Sequence, residues 1–145
     1  MGETEQLRRF ETDGVSATEE LGATLAAELV DGDVVFVSGE LGAGKTSFVR
    51  GAARALDARV PVTSPTFAIG HRYPAGEGRL VCHLDLYRLD GLGGEDPELL
   101  APYLGAGRIT FVEWPEHAGT ALGEPRLRVQ LRHAGREQRI VEVRG

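Results

Sequence analysis

Apolar positions in the first half of the chain change period twice. Leu21, Leu25 and Leu29 recur at four-residue steps, with Gly22 and Ala26 beside them, which predicts an amphipathic helix. Ser16-Ala17-Thr18-Glu19 has the form of a capping box, so this helix is expected to open there and to stop near Asp31-Gly32. Val34-Val35-Phe36-Val37 is then a continuous run rich in β-branched residues, the pattern of a strand buried on both faces of a parallel sheet. A glycine-rich turn, 39–44, follows. Phe48, Val49, Ala52, Ala53 and Leu56 then give residues 46–56 the apolar side of a second helix.

The second half reads as strands separated by turns. Residues 60–66 carry two prolines and read as a loop. Residues 67–73 and 79–87 read as an antiparallel pair joined through Pro74-Ala75-Gly76-Glu77-Gly78. An acidic stretch, 92–96, leads into a short helix at 97–104. Ile109-Thr110-Phe111-Val112 is a second buried strand. Leu127, Val129 and Leu131 alternate with arginines and Gln130, and with a turn at Ala134-Gly135 and a strand at 139–143 they predict a C-terminal β-hairpin. Together the elements predict an α/β fold, a mixed and mostly parallel sheet flanked by helices.

Length and composition narrow this further. One domain spanning residues 1–145 is expected, with 41% hydrophobic and 26% charged residues, enough to build a core. The apolar runs are far shorter than the roughly eighteen residues of a membrane span. Residues 1–12 are charged and lack the apolar stretch of a signal peptide. The single cysteine, Cys82, excludes an intrachain disulfide. A cytoplasmic address is therefore expected. The net charge of −6 argues against a broad nucleic-acid-gripping surface. Yet residues 124–145 hold six arginines (Arg126, Arg128, Arg132, Arg136, Arg139, Arg144) against three glutamates. That arginine face fits a solvated sheet surface first, and a partner, nucleic-acid or nucleotide contact second. The chain has one lysine, Lys45, among sixteen basic residues.

That lysine stands in Gly39-Glu40-Leu41-Gly42-Ala43-Gly44-Lys45-Thr46, an unbroken G-x-x-x-x-G-K-T between a strand and a helix. Glycines let the backbone approach a phosphate closely, and consecutive amides at a helix N-terminus form an anion nest. Leu41, Gly42, Ala43, Gly44, Lys45, Thr46 and Ser47 are thus candidate nucleotide-binding residues, with the Lys45 ammonium facing the β- and γ-phosphates and the Thr46 hydroxyl facing Mg²⁺. Guanine readers of this class usually use an N-K-x-D loop, which a chain with one lysine cannot contain, so an adenine nucleotide or weak base selectivity is expected.

A metal partner is expected at the end of a buried strand, and Asp85 and Glu113 both qualify. Period two puts His83, Asp85 and Tyr87 on one face and Cys82, Leu84 and Leu86 on the other. The triplet fits either a converging site or the solvated face of an edge strand. Trp114, the one tryptophan, fits a stacking partner for a base and a core or rim residue alike. Ser64 and Thr66, beside Pro65, stand where a switch loop would sense a γ-phosphate, and also fit a proline-capped turn.

Taken in order, G-E-L-G-A-G-K-T, S-P-T-F, H-L-D-L-Y-R and V-E-W-P-E resemble the bacterial TsaE family over residues 16–116. The resemblance implies a P-loop ATPase that binds ATP or ADP with Mg²⁺. It would act with TsaD and TsaB in making threonylcarbamoyladenosine beside the tRNA anticodon, touching tRNA indirectly or weakly and no membrane. By motif match it implies Lys45, Asp85 and Glu113 as catalytic residues and Thr46, Asp85 and Glu113 as metal partners. Thr66, Trp114 and Arg136 join the nucleotide-binding set. Two other classes use similar loops. A small-molecule kinase needs an acceptor site and a lid, for which the short acidic stretch after Glu113 is poor material. A non-hydrolytic adaptor would use nucleotide only to order a loop for a partner.

Overall fold

The apolar run at 34–37 becomes the middle of a seven-stranded sheet in the computed structural model, which describes residues 6–63, 69–87 and 97–145. In chain order the elements are β1 Leu7–Thr12, α1 Val15–Ala26, β2 Val34–Gly39, α2 Lys45–Ala55, β3 Gly70–Pro74, β4 Leu80–Asp85, β5 Arg108–Glu113, β6 Leu127–His133 and β7 Arg139–Arg144. The sheet order is β1-β7-β6-β2-β5-β4-β3. β2 runs parallel to both β5 and β6, and β4 parallel to β5. The antiparallel pairs β3–β4, β6–β7 and β1–β7 lie at the two margins.

The continuous apolar run of β2 follows from this position, since both its faces are covered. Val35 and Val37 pack toward α1 and α2 with Phe48, Val49, Ile109 and Phe111. Val34 and Phe36 pack on the other face near Val112, Leu100 and Leu122, beneath the 3₁₀ turns at Ala101–Tyr103 and Pro115–Ala118. The four-residue leucine stripe is also explained. Leu21 and Leu25 point into the interior, and Gly22 sits where a Cβ would run into the Phe48 carbonyl. Gly51 makes the reciprocal approach from α2, where a Cβ would run into the Glu19 backbone. The two helices touch backbone to backbone because both carry glycine at the crossing. Gly51→Val is expected to lower unfolding free energy by about 2 kcal/mol, because overpacking costs about 1–3 kcal/mol and outweighs the few tenths gained by removing a helical glycine. The fall in urea midpoint measures it.

Four expectations are corrected. The capping box does not cap: α1 opens at Gly14, with Thr18 N bonded to Gly14 O at 3.1 Å, and Ser16 lies inside the first turn. The buried hydroxyls of Thr12 and Thr18 pair at 2.8 Å and tie the strand before α1 to its first turn. Glu19 is taken instead by Arg54 and Arg50 of α2, at 3.0 and 3.5 Å. The helix also ends earlier than Asp31, at Ala26. Turns bonded Glu28 to Leu25 and Leu29 to Ala26 carry Leu29 into the core.

β1 was not expected at all. Its inward positions are held by Arg8, Phe10 and Thr12, so charge hides the period. Arg8 is fixed there by Glu28 at 2.6 and 2.9 Å, and the guanidinium holds the Glu28 carboxyl below its ordinary value. The short helix expected at 97–104 is two 3₁₀ turns, Pro97–Leu99 and Ala101–Tyr103. Pro102 in the second removes an amide that a continuous helix would need. The antiparallel pair and the C-terminal hairpin are present as expected. Residues 67–68 and 92–96 lie outside the described residues.

Candidate phosphate-binding site

β2 delivers the chain to Gly39, and the loop that follows turns back into α2. Gly42 and Gly44 have φ of 76° and 103°, left-handed values that suit glycine. Gly44 is the N-cap of α2, and no side chain caps that helix. The first-turn amides therefore face the loop, at the positive end of the helix. Lys45 is only 7% exposed. Its Nζ donates to the carbonyls of Gly39 at 2.6 Å and Glu40 at 3.2 Å, so the loop's own backbone holds the ammonium over its mouth.

The parallel register of β4, β2 and β5 brings the acids to the same end of the sheet. Glu113 is the register partner of Val37 on one side and of Asp85 on the other. The Thr46 hydroxyl at the start of α2 donates to Glu113 Oε2 at 3.4 Å. Asp85 is half-buried, and its Oδ1 accepts from the Tyr87 amide at 3.1 Å. The triplet read from period two separates. β4 is an interior strand, and His83 is fully buried with Nε2 donating to Glu113 Oε2 at 2.6 Å. Tyr87 lies past the strand end and is exposed, its ring 5.1 Å from Trp114. Cys82, Leu84 and Leu86 are buried as expected. Burial pushes the Cys82 thiol above its ordinary value, which makes it a poor nucleophile.

Trp114 has φ 58° and ψ 50°, a left-handed conformation that is an outlier for a bulky residue. The turn sets its ring 5.3 Å from Lys45 Nζ and 5.5 Å from the His117 ring. Cation–π attraction and the loop carbonyls thus share the one lysine.

Two hollows flank the loop. One of about 350 Å³ is bounded by Gly39, Lys45, Trp114 and Leu131. The other, of about 240 Å³, lies between Gly42, Gly44 and Ser47, the start of α1 at Gly14, and Arg136 and Arg139 of the hairpin. Arg136 therefore stands beside the loop. Leu41 is 88% exposed at its tip, and Ala43 is buried beneath. Two more hairpin residues reach the loop, one from the arginine face and one not singled out from sequence: Arg139 donates to Gly42 O at 3.3 Å, and a His133 ring nitrogen lies 3.2 Å from Leu41 O. Only the parallel β2–β6 pairing carries the hairpin there, so nothing local in the sequence marks them. Ser64 and Thr66 lie outside the described residues. Among the described residues, no group of three His, Cys, Asp or Glu side chains could hold a metal, and no helix is long and apolar enough to cross a membrane.

A parallel strand, a glycine loop ending in Lys45-Thr46 and the helix after it define a P-loop NTPase-like α/β domain. The family model for threonylcarbamoyl adenosine biosynthesis protein TsaE matches residues 12–141, and the chain belongs to that family. It is similar to the tRNA threonylcarbamoyladenosine biosynthesis protein TsaE of Streptomyces coelicolor, at 43% identity over 79% of this chain and 78% of the relative. The protein of the same name from Bacillus subtilis is 34% identical over 92% of this chain and 82% of its own length. Among solved structures, the crystal structure of Bacillus subtilis YdiB superposes with a TM-score of 0.75 at 28% identity, covering 99% of this chain and 88% of that one.

Proposed function

We propose that the chain is a Mg²⁺-dependent ATPase of tRNA threonylcarbamoyladenosine biosynthesis, working in the cytoplasm with the TsaD–TsaB transferase complex. Its family is that of threonylcarbamoyladenosine biosynthesis. The observation that carries the enzymatic part is the meeting of Lys45, Thr46 and Glu113 at the carboxyl ends of parallel strands, with Thr46 Oγ1 and Glu113 Oε2 3.4 Å apart.

In this reading the amides of Gly42, Gly44 and Lys45 bind phosphate oxygens, the Ala43 amide being held by the Glu40 carbonyl at 3.0 Å, and the Lys45 side chain leaves the Gly39 and Glu40 carbonyls to take the β- and γ-phosphates. Ser47 and Arg136, on the hollow beside the loop, line the nucleoside side of the ligand. Trp114 packs over the lysine and keeps water from one flank of the site. Thr46, Glu113 and Asp85 supply hard oxygen donors of the kind Mg²⁺ takes, so the residues fit the ion. When bound, Mg²⁺ neutralises charge on the β- and γ-phosphate oxygens. Glu113, only 4% exposed, is the carboxylate placed to orient the attacking water and hold its proton. Thr66 joins as the sensor of the γ-phosphate.

The test is ATP hydrolysis by the chain alone and then with purified TsaD and TsaB. A rate of ADP and phosphate release that rises at least tenfold with the partners is expected. Phosphate transferred to an acceptor other than water, or no hydrolysis in either condition, overturns the reading.

A further inference from the structure

The imidazole of His83 is fully buried, and packing does not explain it. The residue has no exposed surface, stands at the centre of β4, and faces α2 between its register partners His71 on β3 and Phe111 on β5. A leucine or phenylalanine there would bury as much apolar surface without taking two ring nitrogens out of water. One of those nitrogens, Nδ1, has no hydrogen-bond partner among the described residues. The other is committed, at 2.6 Å, to Oε2 of Glu113. Thr46 donates to that same oxygen at 3.4 Å, so both hydrogen bonds reaching the Glu113 side chain fall on Oε2 and leave Oε1 unbonded among the described residues.

We propose that His83 is a positioning residue: by holding Glu113 Oε2 it fixes the rotation of the carboxylate and presents Oε1 to the nucleotide's metal and water. The inference rests on the reading of Lys45, Thr46 and Glu113 as an ATPase site and adds a residue outside that set. Partners of this kind hold a metal-binding carboxylate in one orientation, and losing one typically costs 10–100-fold in metal affinity or activity. Thr46 cannot substitute for His83, because its hydroxyl is the group that turns to the metal when nucleotide binds. The weaker 3.4 Å contact is then given up, and the histidine remains to orient the acid.

The chain carries its own probe, since its single tryptophan, Trp114, lies 5.3 Å from Lys45 Nζ. Wild type, His83→Leu and His83→Gln are compared by thermal melting and by Trp114 fluorescence on titration with ADP in EDTA. Mg²⁺ titration of the ADP complex and ATP turnover with TsaD and TsaB complete the comparison. His83→Leu is expected to melt within a few degrees of wild type and to bind metal-free ADP within about twofold. Its Mg²⁺ midpoint is expected to rise and its kcat to fall, each by about 10–100-fold. His83→Gln puts an amide N–H near the Nε2 position and is expected to recover to within about threefold.

If His83→Leu does not fold, His83→Asn takes its place. Its shorter amide matches the ring at Nδ1 and cannot reach Glu113, so it is expected to show the same two losses. Unchanged Mg²⁺ midpoint and kcat in the variant lacking the donor overturn the proposal, as do equal losses in His83→Gln. A wild type that binds no nucleotide, or whose nucleotide complex ignores Mg²⁺, instead brings down the underlying site assignment and this inference with it.

Discussion

Lys45→Ala abolishes measurable ATP turnover and weakens ATP binding by roughly 10²–10³-fold, the loss that follows when one preorganised donor is taken from a site that stabilises anionic charge. The effect is large because no other lysine exists in the chain to substitute. Calorimetric titration with ATP and Mg²⁺ measures the binding loss, and far-ultraviolet circular dichroism checks that the fold survives. The fold is expected to survive because, among the described residues, the Lys45 ammonium hydrogen-bonds to the Gly39 and Glu40 carbonyls, which water can satisfy at the mouth of the loop. Lys45→Arg is expected to fail nearly as badly. The loop carbonyls and the Trp114 face are spaced for a compact ammonium, and a planar guanidinium is wider and bonds as a fork. A Lys45→Ala protein with wild-type affinity would place the phosphates elsewhere.

Glu113→Gln separates binding from chemistry. The amide keeps the shape of the carboxylate and can still accept from His83, so nucleotide affinity is expected to stay within a few-fold of wild type. Turnover with the partner proteins is expected to fall by about 10²–10³-fold, because the variant can neither hold a proton from water nor offer a charged oxygen to the metal. The predicted pattern is a large loss of kcat with little change in Kd. It is measured by steady-state hydrolysis alongside Trp114 fluorescence titration. Equal kcat for Glu113→Gln and wild type would assign the water-orienting role to a different acid. Asp85, the register partner of Glu113 across β4 and β5, is the next group to vary.

The parts of this site legible in the sequence are those encoded within one turn of chain. Val34 to Val37, three glycines and Lys45-Thr46 are contiguous, so their order already implies strand, nest and helix. Glu113 and Trp114 follow an apolar strand directly, and a strand end is a position sequence can mark. What depends on pairing across the sheet was not legible. His83 reads as one of a polar triplet that either converges on a site or faces solvent on an edge strand, until β4 is known to lie between β3 and β5. Arg139 and His133 read as face residues of a hairpin until β6 is paired parallel to β2. The capping box misled because the local pattern is indifferent to Thr12, whose hydroxyl from the preceding strand takes Thr18, and to α2, whose arginines take Glu19. β1 was hidden for a related reason: its inward Arg8 is tolerated only because Glu28 arrives from the turn after α1.

The most direct measurement of the central claim is calorimetric titration of the wild-type chain with ATP in the presence of Mg²⁺, repeated with Lys45→Ala. One ATP bound per chain, and no binding by the folded variant at the same concentrations, is the result this account predicts. A wild-type chain that takes up no ATP at millimolar concentration, or a folded Lys45→Ala chain that binds it undiminished, would contradict it.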